Sequence, residues 1–206
     1  MTYTPHALES LSEQSSRVNE KYLALFSEFA SFTQAHPASR EFTFHGFIRR
    51  LGILERCIQN VYSLYPPTHL DIPSRETCVD LAINLQSFVF NVFGCLDNLA
   101  WVWVIERHLS NKNDRPLRDT QVGFRKDIIK CSFSDDFQTY LGGLEQWFTN
   151  LENFRHALAH RIPLYVAPFV VAPDNAASFG ALESQKTEAM RRRDFIKYDK
   201  LASLSG

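Results

Sequence analysis

Apolar residues recur every three to four positions through most of the chain, the spacing that places them on one face of an α-helix. The first such run predicts a helix over residues 7–35, which His36-Pro37 ends. A second run, from Phe44 to Leu64, predicts a helix that ends at Pro66-Pro67, because proline cannot continue a helix interior. The pattern therefore indicates a helical fold.

The next segments continue this organisation. Pro73-Ser74 precedes a long apolar run that predicts a helix reaching about Leu109. Residues 110–124 are polar and are predicted to form a loop. Ser134-Asp135-Asp136 combines a side-chain cap with acids near the positive end of a helix dipole, and it predicts a last long helix over residues 137–160.

The C-terminal part has a different pattern. Ile162 to Pro173 combines β-branched residues with prolines and predicts an extended segment, and the residues after it predict a peripheral helix or tail. The fold class is predicted as all-α: an up-and-down bundle of four to five helices, a short extended Pro-rich segment and a peripheral C-terminal tail. The expected domains are residues 1–165 for the bundle and 166–206 for the extended segment and helical tail.

One stretch has the composition of a membrane span, because Phe88 to Ile105 is almost entirely apolar. Asn91, Asp97 and Asn98 interrupt it, and an Asp at the centre of a span costs about 2.5–3.5 kcal/mol. The stretch is therefore interpreted as a buried core helix, with no membrane partner. No secretory signal is visible at the N-terminus, and four widely spaced cysteines fit a reducing compartment, so the predicted localisation is cytoplasmic.

Composition limits the classes of function. The chain has 206 residues, of which 45% are hydrophobic and 22% charged, and its net charge is −1. This balance is typical of a soluble globular protein and argues against a protein that coats nucleic acid. Residues 107–130, however, carry seven Lys or Arg against three Asp. A solvated connection and a patch that attracts phosphate would both have this composition.

The last long helix carries an unusual arginine. On a helical wheel of residues 137–160, Arg155 falls within the apolar arc, between Leu151 and Leu158. An isolated buried charge is costly. Arg155 is therefore expected either at the rim of the core with its head in water, or in a cleft where its planar guanidinium can bind phosphate.

The long central helix has a stripe of polar or small residues at steps of three and four. Its members are Asp80, Asn84, Ser87, Asn91, Gly94 and Asn98. A strip that faces solvent and the wall of a polar cleft are both consistent with this stripe. In the second case Asp97, which borders the stripe, would orient Arg155 or a histidine.

His156 and His160 lie four residues apart on one helical face, which would also suit half of a zinc site. No third and fourth ligands with suitable spacing accompany them, so neither a metal nor another cofactor is expected. A serine or cysteine nucleophile is equally unsupported, because the chain has no GxSxG elbow and no local cysteine signature.

The segment from Arg155 to His160 resembles a known motif. Four residues separate the arginine from the histidine near the end of a helix, and the polar His156 directly follows the arginine. This arrangement resembles the HEPN superfamily (higher eukaryotes and prokaryotes nucleotide-binding domain), whose mark is Arg followed a few residues later by His. The flanking NFRHALAHRIPLYV and the central CLDNLAW are also similar to bacterial members, and the resemblance covers about residues 40–165.

The resemblance implies a metal-independent endoribonuclease that acts on RNA as a homodimer, in a toxin or defence role with an antitoxin as a partner. Arg155 would stabilise the charge that develops on the phosphorus oxygens. His160 would take a proton from a ribose 2′-hydroxyl or give one to the leaving oxygen. The residues predicted to support these two or to bind substrate are His156, Asp97, Asn98 and Arg161.

Two other classes of function stay open at the level of sequence. Some HEPN-like domains are catalytically silent, so the alternative prediction is a non-catalytic module that binds nucleotide or a protein partner. The third is a helical scaffold in which Arg155 is only structural. Arg40 and His45 have the same spacing as the motif near the start of a helix, and this match is interpreted as chance.

Overall fold

The computed structural model describes residues 3–167 and 173–203 and contains helices but no β-strand within them. The chain divides into two compact units, Met1–Val166 and Ala167–Gly206. The predicted all-α class is confirmed. The helices of the described residues are more numerous than the four to five that the periodicity predicts, because several predicted helices are interrupted.

The first predicted helix is interrupted at Arg17. Helix α1 (Pro5–Ser16) and helix α2 (Val18–Ser31) meet there, and the Arg17 backbone, with φ −89° and ψ −2°, departs from regular helix geometry. Thr4 caps α1 by accepting a hydrogen bond from the N–H of Ala7. The helical run also ends at Ser31, before the predicted end at residue 35.

The second predicted helix contains a segment of a different kind. Helix α3 (Pro37–Glu41) leads into a π-helical segment (Phe42–Ile48), which continues as helix α4 (Arg49–Leu64). His36 caps α3, its Nδ1 accepting from the N–H of Ala38, so His36-Pro37 also begins a helix. The π-helical segment packs against helix α5 (Arg75–Glu106), which is the long central helix.

Gly46 is the point of closest approach between the π-helical segment and α5. A Cβ atom built on Gly46 would lie 2.0 Å from Oδ1 of Asn98, a separation that real Cβ atoms do not reach. The Asn98 side chain is itself held, because its Nδ2 donates to the carbonyl of Gly94. An added Cβ at position 46 therefore forces the Asn98 side chain to move.

Gly46→Ala is expected to lower the free energy of unfolding by about 1–3 kcal/mol, the usual cost of overpacking. Denaturant unfolding monitored by circular dichroism measures this change. The matched control is Gly142→Ala, since an added Cβ there meets nothing within 4 Å. Asn98→Ala should recover part of the loss in a double variant, because it removes the clashing atom. Equal stability of Gly46→Ala and the wild type would contradict the packing described.

Helix α5 lies between two hydrophobic clusters. One contains Phe47, Ile48 and Cys95, near the π-helical segment. The buried members of the other lie towards the end of α5 and in the chain after it: Ala100, Val104, Leu117, Val122, Ile129, Phe133, Leu141 and Phe148. By length and composition α5 is the one helix of the described residues that could cross a membrane, and soluble core helices pass the same test.

The polar stripe of α5 faces neither solvent nor a cleft along most of its length. Asn84 accepts a hydrogen bond from the side chain of Asn60, and Asn91 accepts one from Arg50 at 3.1 Å. The Arg50 guanidinium also lies directly over Gly94. Both interpretations of the stripe are therefore corrected: it forms a polar seam between α4 and α5, where paired side chains avoid the cost of buried polar groups.

Glu106, the last residue of α5, fixes the connection between α2 and α3. Its carboxylate accepts hydrogen bonds from the hydroxyl of Ser39 and from the backbone N–H groups of Ala35 and His36. Chiefly through the Ser39 hydrogen bond, these contacts hold the pKa of Glu106 below its ordinary value of 4.5.

A depressed carboxylate pKa gives stability that is present above pH 4.5 and is lost as the pH falls through the folded-state pKa. Glu106→Gln is expected to cost about 1 kcal/mol at neutral pH, since the carboxylate is partly open to water. The difference between wild type and variant should shrink on acidification below pH 4.5, as measured by denaturant unfolding. Glu41→Gln, at an exposed position, is the control. A difference that grows towards acid pH would contradict this assignment.

The predicted last helix is divided in two. Ser134 caps helix α7 (Asp135–Gly143) as expected, accepting from the N–H of Phe137, and the helix stops at Gly142-Gly143. Helix α8 (Glu145–His160) begins two residues later, after Leu144 with φ −97° and ψ 5°. A short helix α6 (Asp127–Lys130) precedes them. The segment predicted as a polar loop also contributes to the core, because Leu117 and Val122 are buried.

The second unit consists of helix α9 (Ala176–Arg191) and helix α10 (Phe195–Ala202), preceded by a 3₁₀ turn at Pro173–Asn175. The predicted extended segment, Ile162 to Pro173, is non-helical over residues 162–167, and residues 168–172 lie outside the described residues. The sequence predicted a peripheral helix or tail for this part of the chain, and its described residues are helical.

Candidate functional site

The motif of the sequence analysis occupies the C-terminal part of α8. The helix ends at His160, and Arg161 leaves it with φ −134° and ψ −125°. Arg155, His156, His160 and Arg161 are all exposed. The motif is therefore presented at the surface, where a ligand can reach it.

The helical wheel placed Arg155 within the apolar arc, and a position at the rim of the core or in a cleft was predicted. The buried residues of α8 are Phe148 and Leu151, whereas Phe154 and Trp147 are exposed. The Arg155 side chain is exposed, and its guanidinium lies 4.4 Å from the centre of the Phe93 ring on α5.

A cleft of about 690 Å³ adjoins this arginine. One wall comes from α5, another from residues 119–126, and the third from α8. The charged or titratable residues that line it are Asp97, Asp119, Arg125, Lys126, Glu152, Arg155 and His156. The aromatic side chains of Phe93 and Phe124 line it too. A cleft of this kind offers aromatic surface together with cations and carboxylates, which suits a polar, partly aromatic ligand.

Asp97 is the half-buried acid of this cleft. Burial raises the pKa of its carboxyl above the ordinary value of 3.8, while the positive charges of Arg155 and Arg50 act in the opposite direction. No ion pair within 4 Å joins Asp97 to either arginine among the described residues. The positive charge of Arg155 therefore acts on the Asp97 carboxyl without a direct ion pair.

Arg125 is a residue of the cleft that the sequence analysis did not single out. Its guanidinium binds two carboxylates of α8, those of Glu145 and Glu152, the latter at 2.6 Å. Burial lowers the pKa of Arg125, but the two carboxylates outweigh it and raise the pKa above its ordinary value. This pair of contacts fixes residues 119–126 against α8 and so shapes the cleft.

The basic run over residues 107–130 has cations in different surroundings. Arg125 binds two carboxylates. The Arg107 guanidinium lies over the Trp103 ring, 5.2 Å from its centre. Lys126 alone among the lysines of this run lines the cleft of Arg155. Lys112, Arg115 and Arg118 are exposed, as expected of a solvated connection, and a patch that attracts phosphate stays a prediction.

The other predicted site residues separate into two groups. The His156 and His160 rings are neighbours, with their centres 5.1 Å apart. His156 lines the cleft, whereas His160 lies beyond it at the last position of α8. Asn98 faces Gly46 and does not line the cleft with Asp97. Arg161 continues the exposed surface after His160.

Within the described residues, no group of three or more His, Cys, Asp and Glu side chains is arranged to hold a metal ion. The four cysteines are free. Burial raises the pKa of Cys95 to about 11, so its thiol stays protonated and is a poor nucleophile at neutral pH. The titratable or charged groups around the cleft are imidazoles, guanidinium groups, carboxylates and the Lys126 ammonium group.

Comparison of the chain with protein-family models, with curated proteins and with solved structures finds no match. The likeness to the HEPN superfamily thus rests on the spacing of Arg155 and His160 and on the residues around them.

Proposed function

We propose that this chain is a metal-independent endoribonuclease of the HEPN type, which acts as a homodimer in the cytoplasm. The observation that supports this most is the joint exposure of Arg155, His156 and His160 at the end of α8, beside an open cleft. Arg155 forms no ion pair with any residue of the described ranges, so its guanidinium is available to an anion.

The proposed reaction is transfer of the phosphodiester to the neighbouring ribose hydroxyl. His160 takes the proton of the 2′-hydroxyl, and the 2′-oxygen forms a bond to phosphorus. The bond from phosphorus to the 5′-oxygen breaks, and a protonated histidine returns a proton to that leaving oxygen. Arg155 stabilises the negative charge on the phosphorus oxygens in the transition state. The products are a 2′,3′-cyclic phosphate and a 5′-hydroxyl.

A homodimer would complete the site. Arg155 and His160 are separated by about 140° around an ideal helix, so one copy of α8 brings them together poorly. Two copies of the motif facing each other across a two-fold axis would place the arginine of one copy near the histidine of the other. This geometry also accounts for two histidine roles, one as base and one as acid.

The surface beside the motif has the apolar character that such a dimer needs. On α5, Ile83 and Phe90 are exposed on the same face as Phe93, which contacts Arg155. The chain after α8 runs beside this face, where Gln86 Nε2 donates to the carbonyl of Leu164 at 2.6 Å. Tyr165, 76% exposed, adds to it. Ile83, Phe90 and Tyr165 thus supply exposed apolar area to the proposed interface.

A non-catalytic module that binds nucleotide is the second candidate, and the cleft favours it. Phe93 and Phe124 offer faces for a base, while Lys126 and Arg155 offer positive charge for phosphate. In this case the exposed His160 would have no role in chemistry. In either case a toxin or defence role, with an antitoxin that covers the motif, is the biological setting we propose.

The deciding experiment incubates the full chain with single-stranded RNA in the presence of a chelator. The proposal expects cleavage products with cyclic phosphate ends, because the 2′-hydroxyl is the attacking group and no metal takes part. Cleavage that stops on addition of the chelator would exclude the proposed mechanism. Tight binding of a nucleotide without cleavage would favour the second candidate.

A further inference from the structure

We propose that the turn between α9 and α10 is a binding surface for single-stranded RNA, separate from the cleft of Arg155. The proposal concerns the second unit of the chain. It depends on the proposed function only because it takes RNA as the substrate. Its test measures RNA binding separately from RNA cleavage.

The turn displays positive charge in a fixed arrangement. Arg191 is the last residue of α9, Arg192 and Arg193 follow it in the turn, and all three are exposed. Arg193 has φ 58°, the left-handed region that residues other than glycine rarely adopt. The N–H groups of Arg193 and Asp194 are held by the carbonyls of Met190 and Ala189. The backbone that carries the arginines is therefore a defined turn closed by hydrogen bonds.

Most of this charge is not neutralised by the residues around it. Arg192 pairs with Glu188 at 2.6 Å. Arg191 and Arg193 form no ion pair with any residue in the described ranges. Asp194, the nearest acid in sequence, is engaged as the cap of α10, accepting from the N–H of Lys197. Two planar guanidinium groups are thus free to bind phosphate oxygens.

Aromatic and apolar side chains lie next to these arginines. Phe195 and Ile196 begin α10 and are 59% and 86% exposed. The combination of guanidinium groups with an exposed aromatic ring is the composition that binds unpaired nucleic acid, in which cations contact phosphates and the ring stacks on a base.

RNA fits this surface better than a lipid bilayer. Stable attachment of a helix to a membrane needs a broad apolar face, and α10 has only eight residues. The three exposed large apolar side chains at the turn, those of Met190, Phe195 and Ile196, are few for that purpose, whereas one ring is enough to stack on a base. An anionic membrane is therefore an outcome that the test must distinguish.

The test measures how the full chain binds a fluorescent oligouridylate, in a His160→Ala background that prevents cleavage. Arg191→Gln/Arg193→Gln is expected to weaken binding about tenfold and to reduce the slope of log affinity against log salt by about 1.4, the value for two phosphate contacts on a single strand. Arg191→Lys/Arg193→Lys keeps the charge and should keep most of the slope. Gln at position 193 has the same cost as Arg in the left-handed backbone conformation, so the variant and the wild type should be equally well folded at this turn.

The second arm tests stacking. Phe195→Leu should weaken binding of the single strand about fivefold or more, with little effect on an RNA duplex, whose bases are not exposed. The control variant is Arg17→Gln/Lys21→Gln, which removes the same charge from the first unit and should change neither affinity nor slope. Circular dichroism checks that every variant is folded.

Each outcome decides the proposal. Unchanged affinity and slope in the α9–α10 variants would overturn it, even if the first unit binds or cleaves RNA. Binding to phosphatidylserine vesicles that depends on these arginines, with RNA affinity unaffected, would overturn it in favour of a membrane surface. Binding through the turn by a chain that never cleaves RNA would uphold this surface and overturn the ribonuclease function.

Discussion

Arg155→Ala and His160→Ala are each expected to remove most of the RNA cleavage while the helical fold persists. The two groups have different tasks, one handling charge and the other protons, so neither can replace the other. General acid–base catalysis raises a reaction rate by about 10²–10⁴-fold. Removal of a group that stabilises charge in the transition state lowers the rate by a comparable factor. A gel assay of product formation over time measures such losses directly.

The fold should survive both substitutions because the two side chains are exposed. Arg155 contacts the Phe93 ring, and a cation–π contact at an exposed site contributes about 0.5–1 kcal/mol. His160 is the last residue of α8, where a side chain has little influence on the helix before it. Loss of activity together with an unchanged circular dichroism spectrum would therefore assign the effect to chemistry.

The chain provides its own matched control. Arg40 and His45 have the same spacing as the motif, and both are exposed, Arg40 on α3 and His45 in the π-helical segment. Arg40→Ala and His45→Ala should leave cleavage unchanged. His156→Ala should have a smaller effect than His160→Ala, because it lines the cleft and is assigned to positioning. Cleavage untouched by His160→Ala would exclude the proposed mechanism.

The parts of the fold that the sequence predicts are those that depend on neighbouring residues. Ser74 and Ser134 each accept a hydrogen bond from an N–H three residues later, and both helix starts lie where the sequence places them. Pro66-Pro67 follows α4, whose last residue is Leu64. Caps and prolines act within one helical turn, so one sequence is enough to locate them.

The parts that escape the sequence depend on contacts between distant segments. The Arg50–Asn91 hydrogen bond and the Gly46–Asn98 contact turn a polar stripe into the seam between two helices. The π-helical segment that presents Gly46 has no local signature of its own. Arg125 is separated from Glu152 by 27 positions, so its role in shaping the cleft appears only when α8 and residues 119–126 are packed together.

One error did have a signal in the sequence. The wheel of residues 137–160 assumed a continuous helix through Gly142-Gly143, although two adjacent glycines weaken a helix by about 1 kcal/mol each relative to alanine. In the structure α7 ends at Gly143 and α8 begins at Glu145.

The homodimer gives the second prediction with a large effect. Ile83→Glu and Phe90→Glu should each convert the dimer to a monomer, because burial of an unpaired carboxylate in an apolar interface costs several kcal/mol and each 1.4 kcal/mol is about tenfold in affinity. Sedimentation or light scattering over a range of concentrations measures the change. Both residues are exposed in the single chain, so the fold itself should tolerate them. Leu23→Glu, at a half-exposed position of α2, is the control that should remain dimeric.

Activity should follow the dimer if the site is shared across the two-fold axis. The Ile83→Glu and Phe90→Glu variants keep Arg155 and His160 yet are expected to lose cleavage, because each copy alone holds the two groups far apart around α8. Mixing the wild type with an excess of His160→Ala should then lower cleavage by more than dilution explains, since a mixed dimer has only one of the two histidines that serve as base and acid. A monomeric variant that cleaves RNA as fast as the wild type would show that one copy is sufficient, and the composite site would be wrong.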